Sequence, residues 1–318
     1  MTAAVRLPAI RATGLRKAFG TTVVLDGIDL EIAEGSVFAL LGPNGAGKTT
    51  IVRILSTLIT ADGGRIEVAG HDLAHAPDAV RAAIGVTGQF SAIDRFLTGE
   101  ENLRLMADLR HLGREAGRRR AAELLEQFDL VESARTVVST WSGGMQRRLD
   151  LAMTLVGDPR IIFLDEPTAG LDPRSRRTMW RVIRDLVDGG VTVLLTTQYL
   201  EEADRLADRI AVLDRGRLVA EGTPAELKRL VSGGHVRLEF AGADELEKAA
   251  RVFAGASRDD ESLALLVPSD GGVRSVRAVL DALDGASIEA DALSVRTPDL
   301  DDVFLALTGR PDTRQGAA

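Results

Sequence analysis

Ser36-Val37-Phe38-Ala39-Leu40-Leu41-Gly42-Pro43-Asn44-Gly45-Ala46-Gly47-Lys48-Thr49-Thr50 is the stretch that decides the fold. From Ser36 to Leu41 it is mainly apolar, is bounded by Gly35 and Gly42, and has the length of a buried strand. From Lys48 to Ile59 the apolar residues recur at helical spacing. Strand, glycine loop and helix therefore follow one another. Residues 42–49 fit G-x-x-x-x-G-K-[ST], in which glycines let backbone N–H groups curl around a phosphate and the next helix points its positive end at it. Lys48 is placed to reach β- and γ-phosphates, Thr49 to ligate Mg2+, and Gly42, Pro43, Asn44, Gly45, Ala46, Gly47 and Thr50 to complete the cradle. A plain tight turn is the bland alternative, which the strand–helix context disfavours.

Outward from this unit, strands are expected at Arg65 to Val68, Ile161 to Leu164, Val191 to Thr196 and Arg209 to Leu213, with helices at Arg174 to Val187 and Glu201 to Leu206. Such alternation implies a mostly parallel sheet covered on both faces. Between the early and late strands the pattern becomes helix after helix, from about Thr98 to Val156, giving an inserted helical subdomain at about 91–156. The first domain is expected to span residues 1–230 and end in a short helix, Ala225 to Leu230. Ser232-Gly233-Gly234 reads as a joint. Residues 235–310 read as a small α+β domain with strands at Val236 to Phe240, Leu263 to Val267 and Ser287 to Val295, and helices at Asp244 to Phe253, Val273 to Leu283 and from Leu300. Residues 311–318 are expected to fray.

Composition narrows the functions. Of 318 residues 45% are hydrophobic and 27% charged, enough to build more than one core. No apolar run approaches the roughly 18–20 residues that cross a bilayer. Met1 to Arg11 lacks the apolar centre of a secretory signal and there is no cysteine, so a cytosolic home is expected. The net charge of −8 argues against nucleic acid as a main partner. Arg118-Arg119-Arg120 is the densest basic run, but Glu123 four residues beyond Arg119 makes it a solvated helix face. His71 and His75 have the spacing of helical metal ligands, yet Gly70 and Pro77 flank them and no third ligand is evident.

Two further motifs carry chemistry. Ile161-Ile162-Phe163-Leu164-Asp165-Glu166 is a buried strand that delivers two carboxylates at its end, where open α/β sheets bind ligands. Asp165 would hold the Mg2+ shell and Glu166 would orient the attacking water. Trp141-Ser142-Gly143-Gly144-Met145-Gln146 opens a helix expected at Met145 to Leu155. Its unpaired N–H groups and serine hydroxyl suit an anion, while Ser142 suits a plain N-cap equally well.

The phosphate loop, the Ser-Gly-Gly cluster and the Leu-Asp-Glu strand occur in this order at separations that resemble the ABC ATPase family, over about Ile10 to Leu230. The resemblance implies ATP and Mg2+ as ligands. It also implies that Phe19 stacks on adenine, that Gln89 touches Mg2+ and signals to a permease, and that Ala169-Gly170-Leu171-Asp172 is the D-loop of a dimer interface. A core aromatic at Phe19 and a solvated loop glutamine at Gln89 are the competing readings. In that family the loop of one cassette is covered by the Ser142-Gly143-Gly144 element of another, so a homodimer of cassettes is implied. Separate membrane-embedded permease subunits and a peripheral position on the cytoplasmic face of the cell membrane are implied as well. The family histidine beyond the strand ending at Thr197 is here Gln198, which can donate a neutral hydrogen bond but carries no charge, implying slow hydrolysis. The run from Thr196 to Asp204, Met145 in the signature, and Pro298 to Leu305 resemble the antibiotic-resistance subfamily typified by the daunorubicin exporter ATPase. That implies export of a drug or lipid-like hydrophobic compound. Catalysis would then rest on Lys48, Glu166 and Gln198. The alternatives are an ABC ATPase acting on ribosomes or DNA, and a regulator that binds nucleotide without turnover.

Overall fold

The computed structural model describes residues 8–88, 92–231 and 234–308. The chain divides into two compact units, with the boundary between Pro224 and Ala225.

In the first unit the chain enters through two long antiparallel strands, β1 (Pro8–Phe19) and β2 (Thr22–Ala33), joined at Gly20-Thr21. The sequence reading assigns no strand here. The reason is visible in the register, which shifts around Gly14 between Ala12 and Leu15 and breaks the two-residue alternation that marks a strand. Next come β3 (Val37–Leu41), buried throughout, and α1 (Lys48–Leu55). Helix α1 stops four residues short of the expected Ile59, because Thr57 adopts a left-handed φ of 64° and Leu58 and Ile59 bond back to the carbonyl of Arg53.

The segment expected at Arg65 to Val68 is a strand, β4 (Gly63–Val68), but not in the parallel sheet. It pairs with β1, Ile10 opposite Val68, and with β5 (His71–Asp72) completes an antiparallel sheet ordered β2-β1-β4-β5. His75 bonds through Nδ1 to Asp72 Oδ1 at 2.8 Å, and among the described residues no cluster of metal ligands forms.

Helix α2 (Pro77–Ala83) leads into β6 (Ile84–Thr87), and then the helical stretch begins with α3 (Gly99–Leu109) and α4 (Arg114–Gln127). Thr98 and Glu101 form a reciprocal capping box at the start of α3. Arg119 and Arg120 both approach Glu123 on α4, as a solvated face predicts. After α5 (Gly143–Thr154) the alternation returns with β7 (Ile161–Asp165), α6 (Pro173–Asp188), β8 (Thr192–Thr197), α7 (Leu200–Leu206), β9 (Arg209–Asp214) and β10 (Arg217–Gly222).

The central sheet is ordered β10-β9-β3-β8-β7-β6, parallel except for the β10 edge. Strands β3, β7 and β8 are buried at every position, as strands covered on both faces must be. Ile10, Leu15, Ile28 and Ile32 of the antiparallel sheet, Ile51 and Ile54 of α1, and Phe38, Leu40 and Phe163 of the central sheet form one core. Burying such side chains contributes about 1.5–3 kcal/mol each. It also fixes α1 against both sheets, and so fixes the loop that precedes it.

The second unit begins with α8 (Pro224–Lys228), whose first residue is the last of the first unit. It continues through β11 (His235–Glu239), α9 (Ala243–Val252), β12 (Ser257–Asp259), β13 (Ala264–Pro268), α10 (Val273–Gly285), β14 (Ala292–Arg296) and α11 (Leu300–Thr308). Its antiparallel sheet is ordered β12-β13-β11-β14. Val236, Leu238 and Leu265 pack with Leu246 of α9 and Val279 and Leu283 of α10. The strand expected from Ser287 starts only at Ala292. Ser287 takes a positive φ of 53° and sends Ile288 into the core ahead of the strand. Strand β12 is an addition to the expected elements. Ser232, Gly233 and the tail 311–318 lie outside the described residues. No described helix is long and apolar enough to cross a membrane.

Candidate active site

The C-terminal ends of β3, β8 and β7 lie side by side in the sheet, which brings three sequence-distant segments to one edge. From β3 comes the loop 42–47. Gly47 caps α1 with φ 109°, and a Cβ there would meet Leu25 Cδ2 at 2.7 Å, so only glycine fits. Helix α1 has no side-chain cap, whereas α3, α5 and α6 are capped by Thr98, Ser142 and Asp172. The positive end of α1 is thus left for an external anion.

Lys48 is only 5% exposed and donates to the carbonyls of Gly42 at 2.6 Å and Pro43 at 3.1 Å. Burial lowers its pKa from the ordinary lysine value, and the charges of Glu166 and Asp165 act in the opposite sense. Thr49 Oγ1 lies 3.3 Å from Asp165 Oδ1, joining the loop to the end of β7. The Thr196 hydroxyl of β8 donates to the same carboxylate oxygen. Glu166 N–H is shared between the carbonyl of Thr196 at 3.1 Å and its hydroxyl at 3.2 Å. Glu166 takes a left-handed φ of 49°, uncommon for a residue with a side chain, at the point where the chain turns out of β7.

Pro43, Asn44, Gly45, Gly47, Lys48, Thr49, Thr50, Asp165, Glu166 and Val24 line a cavity of about 330 Å3. A larger cleft of about 930 Å3, between residues 57–66 and 72–81, contains none of them. Size does not locate this site; the converging ammonium, hydroxyl and carboxylates do.

Other sequence-predicted residues stand apart from the cavity lining. Phe19 ends β1 at 50% exposure, which removes the core-aromatic alternative, and Lys17 Nζ sits 5.3 Å from its ring centre. Gln198 is exposed, one residue beyond β8, and is not among the lining residues. Ser142 caps α5 by accepting from Met145 N–H at 3.3 Å. Gly144 lies so close to α6 that a Cβ would meet Ser175 Oγ at 2.5 Å. Asp172 caps α6, accepting from the N–H groups of Arg174 and Ser175 and from Ser175 Oγ at 2.6 Å; the last bond leads in holding its carboxyl below the usual range. Gln89 lies outside the described residues.

Two residues of the site were not anticipated. One is Thr196, hidden inside an apolar strand. The other is Arg147 on α5, whose guanidinium donates to the carbonyls of Pro167 at 2.9 Å, Asp165 at 3.2 Å, Glu166 at 3.2 Å and Gly88 at 3.5 Å, and pairs with Asp150 at 3.1 Å. An arginine three residues before an aspartate that lies in the buried run of α5 was the available signal.

A family model described as "ABC transporter" matches residues 25–169. The chain is 50% identical over 303 residues to the daunorubicin resistance ATP-binding protein DrrA3 of Streptomyces coeruleorubidus, covering 95% of this chain and 96% of that one. It is 39% identical over 302 residues to the Nod factor export ATP-binding protein I of Sinorhizobium fredii, covering 95% and 86%. Among solved structures, an ATP binding subunit of an ABC transporter superposes with a TM-score of 0.62 at 28% identity, covering 70% of this chain and 92% of the other.

Proposed function

Because the chain belongs to the ABC transporter ATP-binding family, we propose that it is the ATP-hydrolysing subunit of an exporter, driving a drug, antibiotic or lipid-like hydrophobic compound through separate permease subunits from the cytoplasmic face of the cell membrane. The observation that carries this reading is the convergence of Lys48, Thr49, Asp165 and Glu166 on one cavity at the ends of neighbouring parallel strands. The relatives named for drug resistance and for Nod factor export support the exporter part.

The residues fit a triphosphate. An uncapped helix start, a glycine that admits no side chain and a buried ammonium whose hydrogen-bond partners among the described residues are backbone carbonyls are what phosphate oxygens would satisfy. They also fit Mg2+, since Thr49 and Asp165 bring two hard oxygens together and Gln89 would supply another. When bound, the metal would offset the charge that develops on the phosphate oxygens.

The chain's own groups do the rest. Lys48 leaves the carbonyls of Gly42 and Pro43 for the phosphates. Glu166 orients the attacking water and accepts its proton, and Thr196 and Arg147 fix the backbone from which that carboxylate projects. Gln198 donates its amide hydrogen to the γ-phosphate without adding charge, which suits a slow enzyme. Phe19, exposed at a hairpin end, offers a ring face to adenine. In the homodimer that membership of this family implies, Ser142, Gly143 and Gly144 close the partner's pocket, with Asp172 at the same interface. Steady-state ATPase measurement tests the assignment: Glu166→Gln abolishes turnover, and equal rates in the variant and the parent would overturn it.

A further inference from the structure

One buried carboxyl plays no part in the scheme above. Glu202 of α7 has no exposed surface, and its Oε1 accepts from Thr168 Oγ1 at 2.7 Å and from Trp180 Nε1 at 3.2 Å. The Thr197 side chain and the Arg176 guanidinium also face the carboxyl, each favouring its charged form. Each contact belongs to a different piece of the hydrolytic apparatus. Thr168 lies two residues after Glu166, Trp180 and Arg176 are on α6 behind Asp172, and Thr197 directly precedes Gln198. On the other flank of Gln198, Tyr199 donates its N–H to Thr197 Oγ1 at 2.9 Å, and its ring carries the Arg176 guanidinium 4.9 Å from the centre. Gln198 is therefore an exposed residue between two anchored neighbours.

The cluster is poorly explained by stability. Glu202 Oε2 and Arg176 Nε are buried and have no hydrogen-bond partner among the described residues. Burial pushes the Glu202 carboxyl above its ordinary range, against the hydrogen bonds of Thr197, Thr168 and Trp180 and the charge of Arg176. An apolar filling would avoid both orphaned atoms. What the carboxyl does supply is a single point bonded to two segments and set against a third.

We propose that Glu202 is a positioning residue for ATP hydrolysis: by bonding Thr168 to Trp180 beside Thr197, it sets where Gln198 stands relative to Glu166. This rests on the reading of the chain as an ATPase. A neutral amide depends on hydrogen-bond direction more than a charged group does, so its placement matters more.

The experiment measures kcat and KM for MgATP, with thermal unfolding of each protein, in wild type, Glu202→Ala, Glu202→Gln, Thr168→Val, Gln198→Ala and the doubles with Gln198→Ala. Glu202→Ala lowers kcat about tenfold or more while KM stays nearly constant, because the phosphate loop is untouched. Glu202→Gln, which keeps an acceptor for Thr168 and Trp180, recovers most of the rate. In the Gln198→Ala background the further loss is no more than about twofold, because Glu202 acts through Gln198. Thr168→Val follows the same non-additive pattern and decides the matter should Glu202→Ala not fold. Wild-type kcat in folded Glu202→Ala or Thr168→Val, or losses that multiply with that of Gln198→Ala, would overturn the proposal while leaving the ATPase reading intact. Wild-type turnover that does not depend on Glu166 would overturn both.

Discussion

Replacing Thr196 by valine tests whether the hydroxyl between the two carboxylate residues holds the site in register. The side chain is fully buried, and valine keeps its shape while deleting one oxygen. That oxygen donates to Asp165 Oδ1 and shares Glu166 N–H, which retains the Thr196 carbonyl at 3.1 Å. The loss is therefore one charge-assisted hydrogen bond, about 1.5–3 kcal/mol, with no orphaned donor added. For a unit of this size each kcal/mol lowers Tm by about 2–4 °C, so a drop of about 3–12 °C is expected. Where the same loss loosens Asp165 and Glu166 in the transition state, about 2 kcal/mol slows ATP turnover roughly thirtyfold. Thr196→Ser is the control, keeping the hydroxyl and deleting a methyl worth about 1 kcal/mol. Calorimetry and a phosphate-release assay on both variants read the two effects. If valine and serine proved indistinguishable in Tm and rate, the hydroxyl would have no role in the site.

Glu166→Gln with saturating MgATP should double its mass in light scattering, whereas Lys48→Ala should not; a hydrolysis-dead variant that stays monomeric would refute the shared-pocket reading. Gly144→Ala forces a Cβ against Ser175 Oγ at 2.5 Å and should cost about 1–3 kcal/mol in chemical denaturation, most of it recovered by Ser175→Gly; no recovery would place the strain elsewhere. The raised pKa of Glu202 makes the folded chain hold a proton that the unfolded chain gives up above the ordinary value of 4.5. Stability contributed by this group is complete below that value and falls as pH climbs from there towards the folded pKa. Glu202→Gln should therefore flatten the pH dependence of Tm over that window, and an unchanged slope between the two proteins would contradict it.

The sequence made the candidate site legible because its parts are local. The loop 42–49 announces itself by composition, and Asp165-Glu166 by standing at the end of an apolar run. Partnership between distant segments was not legible. The strand at Arg65 to Val68 is correctly located, but nothing within it reveals that β1, not the central sheet, receives it. Strands β1 and β2 escaped because bulges scramble their alternation. The apolar spacing predicts too long an α1, because Leu58 and Ile59 prolong it past the turn at Thr57. Ser142 was read as either an anion-facing hydroxyl or an N-cap, and the capping bond is present in the isolated chain. Thr196 and Arg147 show their roles only once β7, β8 and α5 are assembled.

Arg147 has a mechanical consequence. Helix α5 begins at Ser142, yet one turn later its guanidinium is fastened to carbonyls beside Glu166 and to the last described carbonyl before Gln89. A rigid lever pinned at that point cannot tilt at one end without tugging the other. Any push felt at the glycine-rich tip is thus delivered, within a single side chain's length, to the backbone that carries Glu166.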